Sequence, residues 1–160
     1  MKGRKNMERI ASFCVDHRCL ERGMYTSRVD GDITTYDIRM KKPNQGDYLA
    51  VPAMHTIEHL FATFARSSRF GSHVIYVGPM GCRTGFYLLV RDLSPEDSIA
   101  LAKESMEFIA DYDGEIPGAT EPECGNWKEQ DLAGAKVEAK EMASVLKNWT
   151  KENLAYKKYL

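Results

Sequence analysis

The chain has 160 residues, 43% of them hydrophobic and 28% charged, which is enough for one core and too little for two substantial ones. Its 22 Lys+Arg against 23 Asp+Glu leave a net charge of -1, so charge gives no case for a nucleic-acid or anionic-membrane partner. No apolar run approaches the roughly 20 residues that span a bilayer. The basic start Met1-Lys2-Gly3-Arg4-Lys5-Asn6 leads into Met7-Glu8-Arg9-Ile10 and not into an apolar segment, so no secretory leader is expected and a cytoplasmic location is. A single domain over residues 1–160 is the expectation.

Residues 1–10 read as a frayed or weakly helical lead-in. Residues 26–41 read as a hairpin: Asp30-Gly31-Asp32 is a turn signal, and Ile33-Thr34-Thr35-Tyr36-Asp37-Ile38-Arg39-Met40 is rich in β-branched residues with partial alternation. Pro43-Asn44-Gln45-Gly46-Asp47 is a loop. Ile57, Leu60, Phe61, Phe64 and Ala65 recur at helical spacing behind Pro52, which predicts a helix over 52–69. Residues 72–77 form a short apolar strand, 78–81 a turn and 85–91 a second strand. Ser94-Pro95-Glu96-Asp97 combines an N-cap, a first-turn proline and first-turn acids, and starts a helix that runs to about residue 112. A loop over 113–125 and a last helix over 131–148 follow, the latter with Leu132, Ala135, Val137, Ala139, Met142, Val145 and Leu146 to pack. The tail after it is polar and expected to be exposed. Hairpin strands with helices between and after them predict an α+β fold, an antiparallel sheet with helices on one face. The other face then needs cover, which a second copy of the chain can supply.

His55-Thr56-Ile57-Glu58-His59 is the most informative segment. On a helix its two imidazoles stand one turn apart on one face and can share one metal ion. Glu58, beside the second histidine, can reach a metal-bound water or substrate without being a ligand. The pattern is H-x-x-E-H, the reverse of the H-E-x-x-H metallopeptidase signature. Two exposed helix histidines beside a glutamate is the plain alternative. It is weakened because the chain has only four histidines and because apolar residues flank the motif. A third ligand is needed, and Cys124 is the best candidate. It lies in Glu121-Pro122-Glu123-Cys124-Gly125-Asn126-Trp127, ahead of a helical region whose N-terminus would favour its thiolate. A His₂Cys set leaves one position open, as a catalytic site requires.

Cys82, in Gly78-Pro79-Met80-Gly81-Cys82-Arg83-Thr84-Gly85, is placed by a glycine-bearing turn. Adjacent Arg83 supplies the positive charge that favours the thiolate of a nucleophile or acid/base group. Cys14 and Cys19 have no such setting and read as packing residues. With no C-x-x-C pair, neither a zinc ribbon nor a thioredoxin-type site is indicated, and disulfides are not expected. His17 and Arg39 are further polar candidates, while His73 reads as structural. Besides a metal-dependent enzyme, the residues allow an H-x-x-E-H metallopeptidase, whose third ligand is usually a glutamate. They also allow a non-catalytic metal-binding module, which would need a fourth protein ligand.

Taken together, the ordered segments resemble the S-ribosylhomocysteine lyase (LuxS) family. The matching runs are Ser12-Phe13-Cys14-Val15-Asp16-His17, Gly31-Asp32 through Tyr36-Asp37-Ile38-Arg39, Lys42-Pro43-Asn44, His55-Thr56-Ile57-Glu58-His59-Leu60, Pro79-Met80-Gly81-Cys82-Arg83-Thr84-Gly85-Phe86-Tyr87-Leu88, Ile116-Pro117 and Cys124-Gly125. The resemblance implies cleavage of S-ribosylhomocysteine to homocysteine and 4,5-dihydroxy-2,3-pentanedione, the precursor of a quorum-sensing signal. It implies one divalent metal per subunit, iron(II) natively with zinc or cobalt as substitutes, held by His55, His59 and Cys124. It further implies Glu58 and Cys82 as acid/base residues and Ser12, His17 and Arg39 as substrate contacts. The implied fold is an α+β homodimer whose sheets face each other, with two active sites built from both chains. Two places depart from the family pattern. Arg22-Gly23-Met24-Tyr25-Thr26-Ser27-Arg28 stands for a usual Ala-Pro-Tyr-Val-Arg stretch, and Tyr76 stands where some members carry an acid.

Overall fold

The computed structural model describes residues 7–160. The first six residues of the expected lead-in lie outside them, and Met7 to Ile10 form no regular element. The hairpin forms as β1 (Gly23–Asp30) and β2 (Ile33–Arg39). β1 starts three residues before the predicted hairpin. Next come α1 (Val51–Ser67), β3 (Val74–Pro79), β4 (Gly85–Arg91), α2 (Pro95–Ala110) and α3 (Leu132–Leu146). The four strands make one antiparallel sheet in the order β1-β2-β4-β3, so the α+β expectation holds. β3 begins two residues late because Gly71–His73 is a 3₁₀ turn, and it takes in Gly78 and Pro79, which the sequence assigns to the turn.

Local chemistry explains where the helices begin. Ser94 Oγ accepts the Asp97 N–H at 3.1 Å, and Asp131 accepts the Gly134 N–H at 2.9 Å. Each satisfies one of the donors a helix start leaves unpaired. α1 has no side-chain cap, but Pro52 sits in its first turn, where the missing N–H costs nothing.

Strand alternation sorts the sheet into two faces. Tyr36 and Ile38 of β2, Phe86, Leu88 and Val90 of β4 and Met24 of β1 turn to the helices. There they join Ile57, Leu60, Phe61, Leu101, Met106, Ile109 and Met142 in one core. Thr35, Asp37 and Arg39 of β2, with Tyr87 and Leu89 of β4, turn to the face that carries no helix. At the β1 end of that face a smaller cluster forms from Val15, Leu20, Tyr25 and Tyr156.

This small cluster corrects the reading of the tail as exposed. Leu154 and Tyr156 are buried, and Tyr156 stacks on Tyr25 with centroids 5.0 Å apart. Asp16 N–H donates to Lys158 O at 3.1 Å and Leu160 N–H to Cys14 O at 2.7 Å. The C-terminal tail thus ties down the segment that carries Ser12 and His17. Two further expectations fail. Val137 faces solvent on α3, and Cys19 is exposed and packs into no core. The four cysteines are free. No helix among the described residues is long and apolar enough to cross a membrane.

Candidate active site

Two groups of chemistry-bearing side chains form, one on the helix layer and one on the helix-free sheet face. The first joins His55 and His59 of α1 with Cys124 from the loop before α3. Their ligand atoms all lie within 4.8 Å of one another. Each imidazole is aimed by a backbone carbonyl: His55 Nδ1 donates to Glu129 O at 2.7 Å and His59 Nδ1 to Pro117 O at 2.6 Å. A carbonyl only accepts, so Nδ1 carries the proton and Nε2 of each ring is the nitrogen left to ligate a metal. The two Nε2 atoms nevertheless stand 3.0 Å apart, and Cys124 Sγ lies 3.5 Å from one and 3.8 Å from the other.

Two lone pairs and a sulfur converging in this way repel unless a cation sits among them. Tetrahedral coordination with the usual metal–nitrogen and metal–sulfur lengths would separate the nitrogens by about 3.3 Å and each nitrogen from sulfur by about 3.6 Å. The triad is within a few tenths of an ångström of those spacings, so its residues fit one divalent ion with a position left open. Gly118 makes the second carbonyl clamp possible. It has φ +70, and a Cβ there would lie 3.2 Å from His59 Nδ1. The expected helix N-terminus beside Cys124 is absent: turns flank it at 121–123 and 125–128, and α3 starts only at Leu132. Cys124 is instead positioned by its N–H to Thr120 O at 3.0 Å.

The second group lines a cavity of about 460 Å³ that includes Ser12, His17, Arg39, Tyr48, Cys82, Thr84 and Tyr87. The three residues assigned to substrate contact and the thiol assigned to proton transfer therefore share one pocket. Glu58, His55, His59 and Cys124 are not in its lining. His17 is fixed by its Nδ1, which donates to Val15 O at 2.8 Å.

Arg83 does not serve Cys82 as sequence adjacency suggests. Its φ of +61 turns the chain, and its guanidinium leaves toward Leu49 O at 3.2 Å and the Tyr48 ring. Arg39 takes the place beside the thiol. Its Nη1 lies 4.0 Å from Cys82 Sγ and donates to Thr84 Oγ1 at 2.7 Å, while Nη2 donates to Asp37 at 2.6 Å. Burial opposes the Arg39 charge, but the Asp37 carboxylate outweighs it and holds the guanidinium pKa above its ordinary value. Tyr156 donates to the same Asp37 oxygen at 2.7 Å. Burial, reinforced by Asp37, pushes the Tyr156 phenol far up, and burial alone dominates the rise at Tyr87.

Asp37, Thr84 and Tyr156 were not singled out by the sequence. Asp37 carries a readable signal, because a residue two before Arg39 on a strand shares its face. Tyr156, 119 residues from its partner, carries none. His73 is structural, as expected, with Nδ1 donating to Arg91 O at 2.8 Å.

Comparison with known proteins adds an independent line. The family model described as S-Ribosylhomocysteinase (LuxS) matches residues 10–153. An S-ribosylhomocysteine lyase of Phocaeicola vulgatus is 49% identical, covering 94% of this chain and 98% of the relative. Relatives with the same name from Clostridium acetobutylicum, at 45%, and Porphyromonas gingivalis, at 46%, each cover 94% of this chain and 99% of their own length.

Proposed function

The chain belongs to the S-ribosylhomocysteinase (LuxS) family, and from that premise we propose that it is a metal-dependent lyase. It cleaves the thioether of S-ribosylhomocysteine to homocysteine and 4,5-dihydroxy-2,3-pentanedione, the autoinducer precursor. The observation that carries this is the triad of His55, His59 and Cys124 within 4.8 Å, whose spacing fits one divalent ion. A thiol in the triad and a family match over most of the chain count against a metallopeptidase, and the open position counts against a non-catalytic metal module.

β-Elimination of the thiol requires an acidic C–H beside a carbonyl, and the sugar's aldehyde is too far from the sulfur-bearing carbon. The carbonyl must first migrate, one carbon at a time, with a proton lifted from one carbon and returned to its neighbour. A divalent ion, iron(II) in the cell with zinc or cobalt able to replace it, supplies Lewis-acid polarisation of that carbonyl. Cys82 and Glu58 move the protons, and Glu58 delivers one to the departing homocysteine sulfur. Ser12, His17 and Arg39 hold the substrate's polar ends and fix its pose.

The pocket with Cys82 and the triad belong to different layers of one chain, which supports a homodimer whose sheets face each other. In that arrangement each active site takes Cys82, Ser12, His17 and Arg39 from one chain and Glu58 with the metal triad from its partner. Tyr76, Phe13 and Ile10, each more than half exposed, give the helix-free face apolar surface to bury in such a contact. One domain over residues 1–160, working in the cytoplasm with no nucleic-acid or membrane partner, completes the reading.

Anaerobically purified, metal-loaded protein is expected to release free thiol from S-ribosylhomocysteine. Cys82→Ala abolishes release with metal content intact, whereas His55→Ala and Cys124→Ala lose the metal too. Absence of thiol release by metal-loaded wild-type protein would sink the lyase reading.

A further inference from the structure

Thr84 has one hydroxyl and two demands on it. Arg39 Nη1 lies 2.7 Å from Oγ1. A guanidinium only donates, so the oxygen must accept there. Its own proton then needs another acceptor, and the partner within reach is Cys82 Sγ at 3.1 Å. Threonine donating and sulfur accepting is the arrangement that gives the hydroxyl proton a partner. An acceptor sulfur is best met as thiolate, and a hydrogen bond to an ionised acceptor is among the stronger kinds.

The arrangement is held from several sides. Thr84 is 2% exposed, and its carbonyl accepts from both Met40 N at 2.8 Å and Lys41 N at 2.9 Å. At Gly85 a Cβ would run into the Ile38 carbonyl, so glycine lets β4 close on β2 where Arg39 meets Thr84. Arg83, at φ +61, is a strained non-glycine residue between Cys82 and Thr84, and it brings the two side chains to one side. Backbone strain of this kind persists where the surroundings over-determine it. On the far side of Arg39, Asp37 and Tyr156 fix the guanidinium plane. The other ionisable groups of the pocket are His17, Tyr48 and Tyr87, and Arg83 points away.

We propose that Thr84 is a positioning residue for Cys82: its hydroxyl, turned by Arg39, donates to the sulfur and holds it as thiolate facing the pocket. The proposal rests on reading Cys82 as the proton carrier. Thr84 itself need not touch substrate.

The test compares full-length, zinc-loaded wild type with Thr84→Val, which drops the hydroxyl at nearly constant volume, and with Thr84→Ser, which keeps it. Alkylation of Cys82 by iodoacetamide near pH 6, read by mass spectrometry on the Cys82 peptide, is expected to slow about three- to tenfold in Thr84→Val. Its kcat is expected to fall about tenfold while KM stays within about twofold. Thr84→Ser restores both. Should Thr84→Val not fold, Thr84→Ala carries the same expectation. Unchanged or faster alkylation in the variant without a hydroxyl, or no recovery in Thr84→Ser, overturns the proposal. The alkylation needs no substrate, so an inactive wild type would refute the lyase reading and leave this result standing.

Discussion

The sharpest consequence of the two-layer arrangement is a complementation experiment. Asp37, Arg39 and Tyr87 alternate onto the helix-free face, whereas α1 packs its apolar stripe on the other. The cavity beside Cys82 accordingly contains no residue of the metal triad. Take Cys82→Ala and His55→Ala, each inactive alone, and let the two chains assort randomly. In the proposed homodimer, half of the dimers are then mixed. If each site joins one chain's Cys82 with the other chain's metal, a mixed dimer has one doubly damaged site and one intact site. Activity returns to about a quarter of the wild-type value, or about half after the mixed dimer is isolated with two affinity tags. If each site is built within one chain, every site in the mixed dimer carries one lesion and nothing returns. Thiol release from S-ribosylhomocysteine is the assay, and metal content, expected at about one ion per mixed dimer, is the check on assembly. Activity at background in a metal-bearing mixed dimer would refute the shared-site reasoning and leave the metal chemistry untouched.

Other substitutions probe the supports of the site. Gly118→Ala places a methyl against His59 at a strained φ of +70. Metal affinity, measured by competition with a chelator, is expected to fall about 10- to 100-fold, as for other groups that orient a ligand; unchanged affinity would mean that the Pro117 carbonyl does not aim the ring. Tyr156→Phe removes the hydroxyl that donates to Asp37 at 2.7 Å and is expected to cost about 1–3 kcal/mol at neutral pH. Because the folded-state phenol pKa is raised above its ordinary value of 10, tyrosine's advantage is whole below pH 10. It is lost as pH rises above that value, at about 1.4 kcal/mol per pH unit. The stability gap between the two proteins, from urea unfolding, therefore narrows above pH 10; a gap independent of pH there would contradict a buried neutral phenol.

What could be read in advance followed the range of the interactions. β4 matched its predicted span residue for residue, because alternation and the following Ser94-Pro95 cap are local signals. The His55–His59 pair was readable for the same reason, since helical spacing alone puts the imidazoles on one face. The tail was misread because what buries it is remote. Trp149 Nε1 donates to Met24 O, 125 residues away, at 2.9 Å, and Tyr156 reaches a strand of the opening hairpin. Nothing in the composition of residues 149–160 announces either partner. Cys124 is legible from the chemistry of a His₂ site, and the helix expected beside it is absent, since α3 starts only at Leu132.

The confusion of Arg83 with Arg39 shows how adjacency misleads at a turn. A residue next to Cys82 in sequence is expected to share its environment, but at φ +61 the chain rotates and sends that side chain to Leu49 and Tyr48. The cation near the thiol comes instead from a neighbouring strand, through the β2–β4 register that pairs Arg39 with Gly85. Asp37 and Arg39 are 0% and 4% exposed, and burying such a pair commonly gains little stability over an apolar pair of similar volume. The same face already holds Tyr25, Tyr87 and Leu89, which packing alone would extend. A buried ion pair that ends on Thr84 and Cys82 is better explained by what it does for the thiol than by what it does for the sheet. The expected signature is a split. Replacing Asp37 and Arg39 together by apolar residues of similar volume should leave the melting temperature within a few degrees of wild type while thiol release collapses. A parallel loss of both would assign the pair to the fold alone.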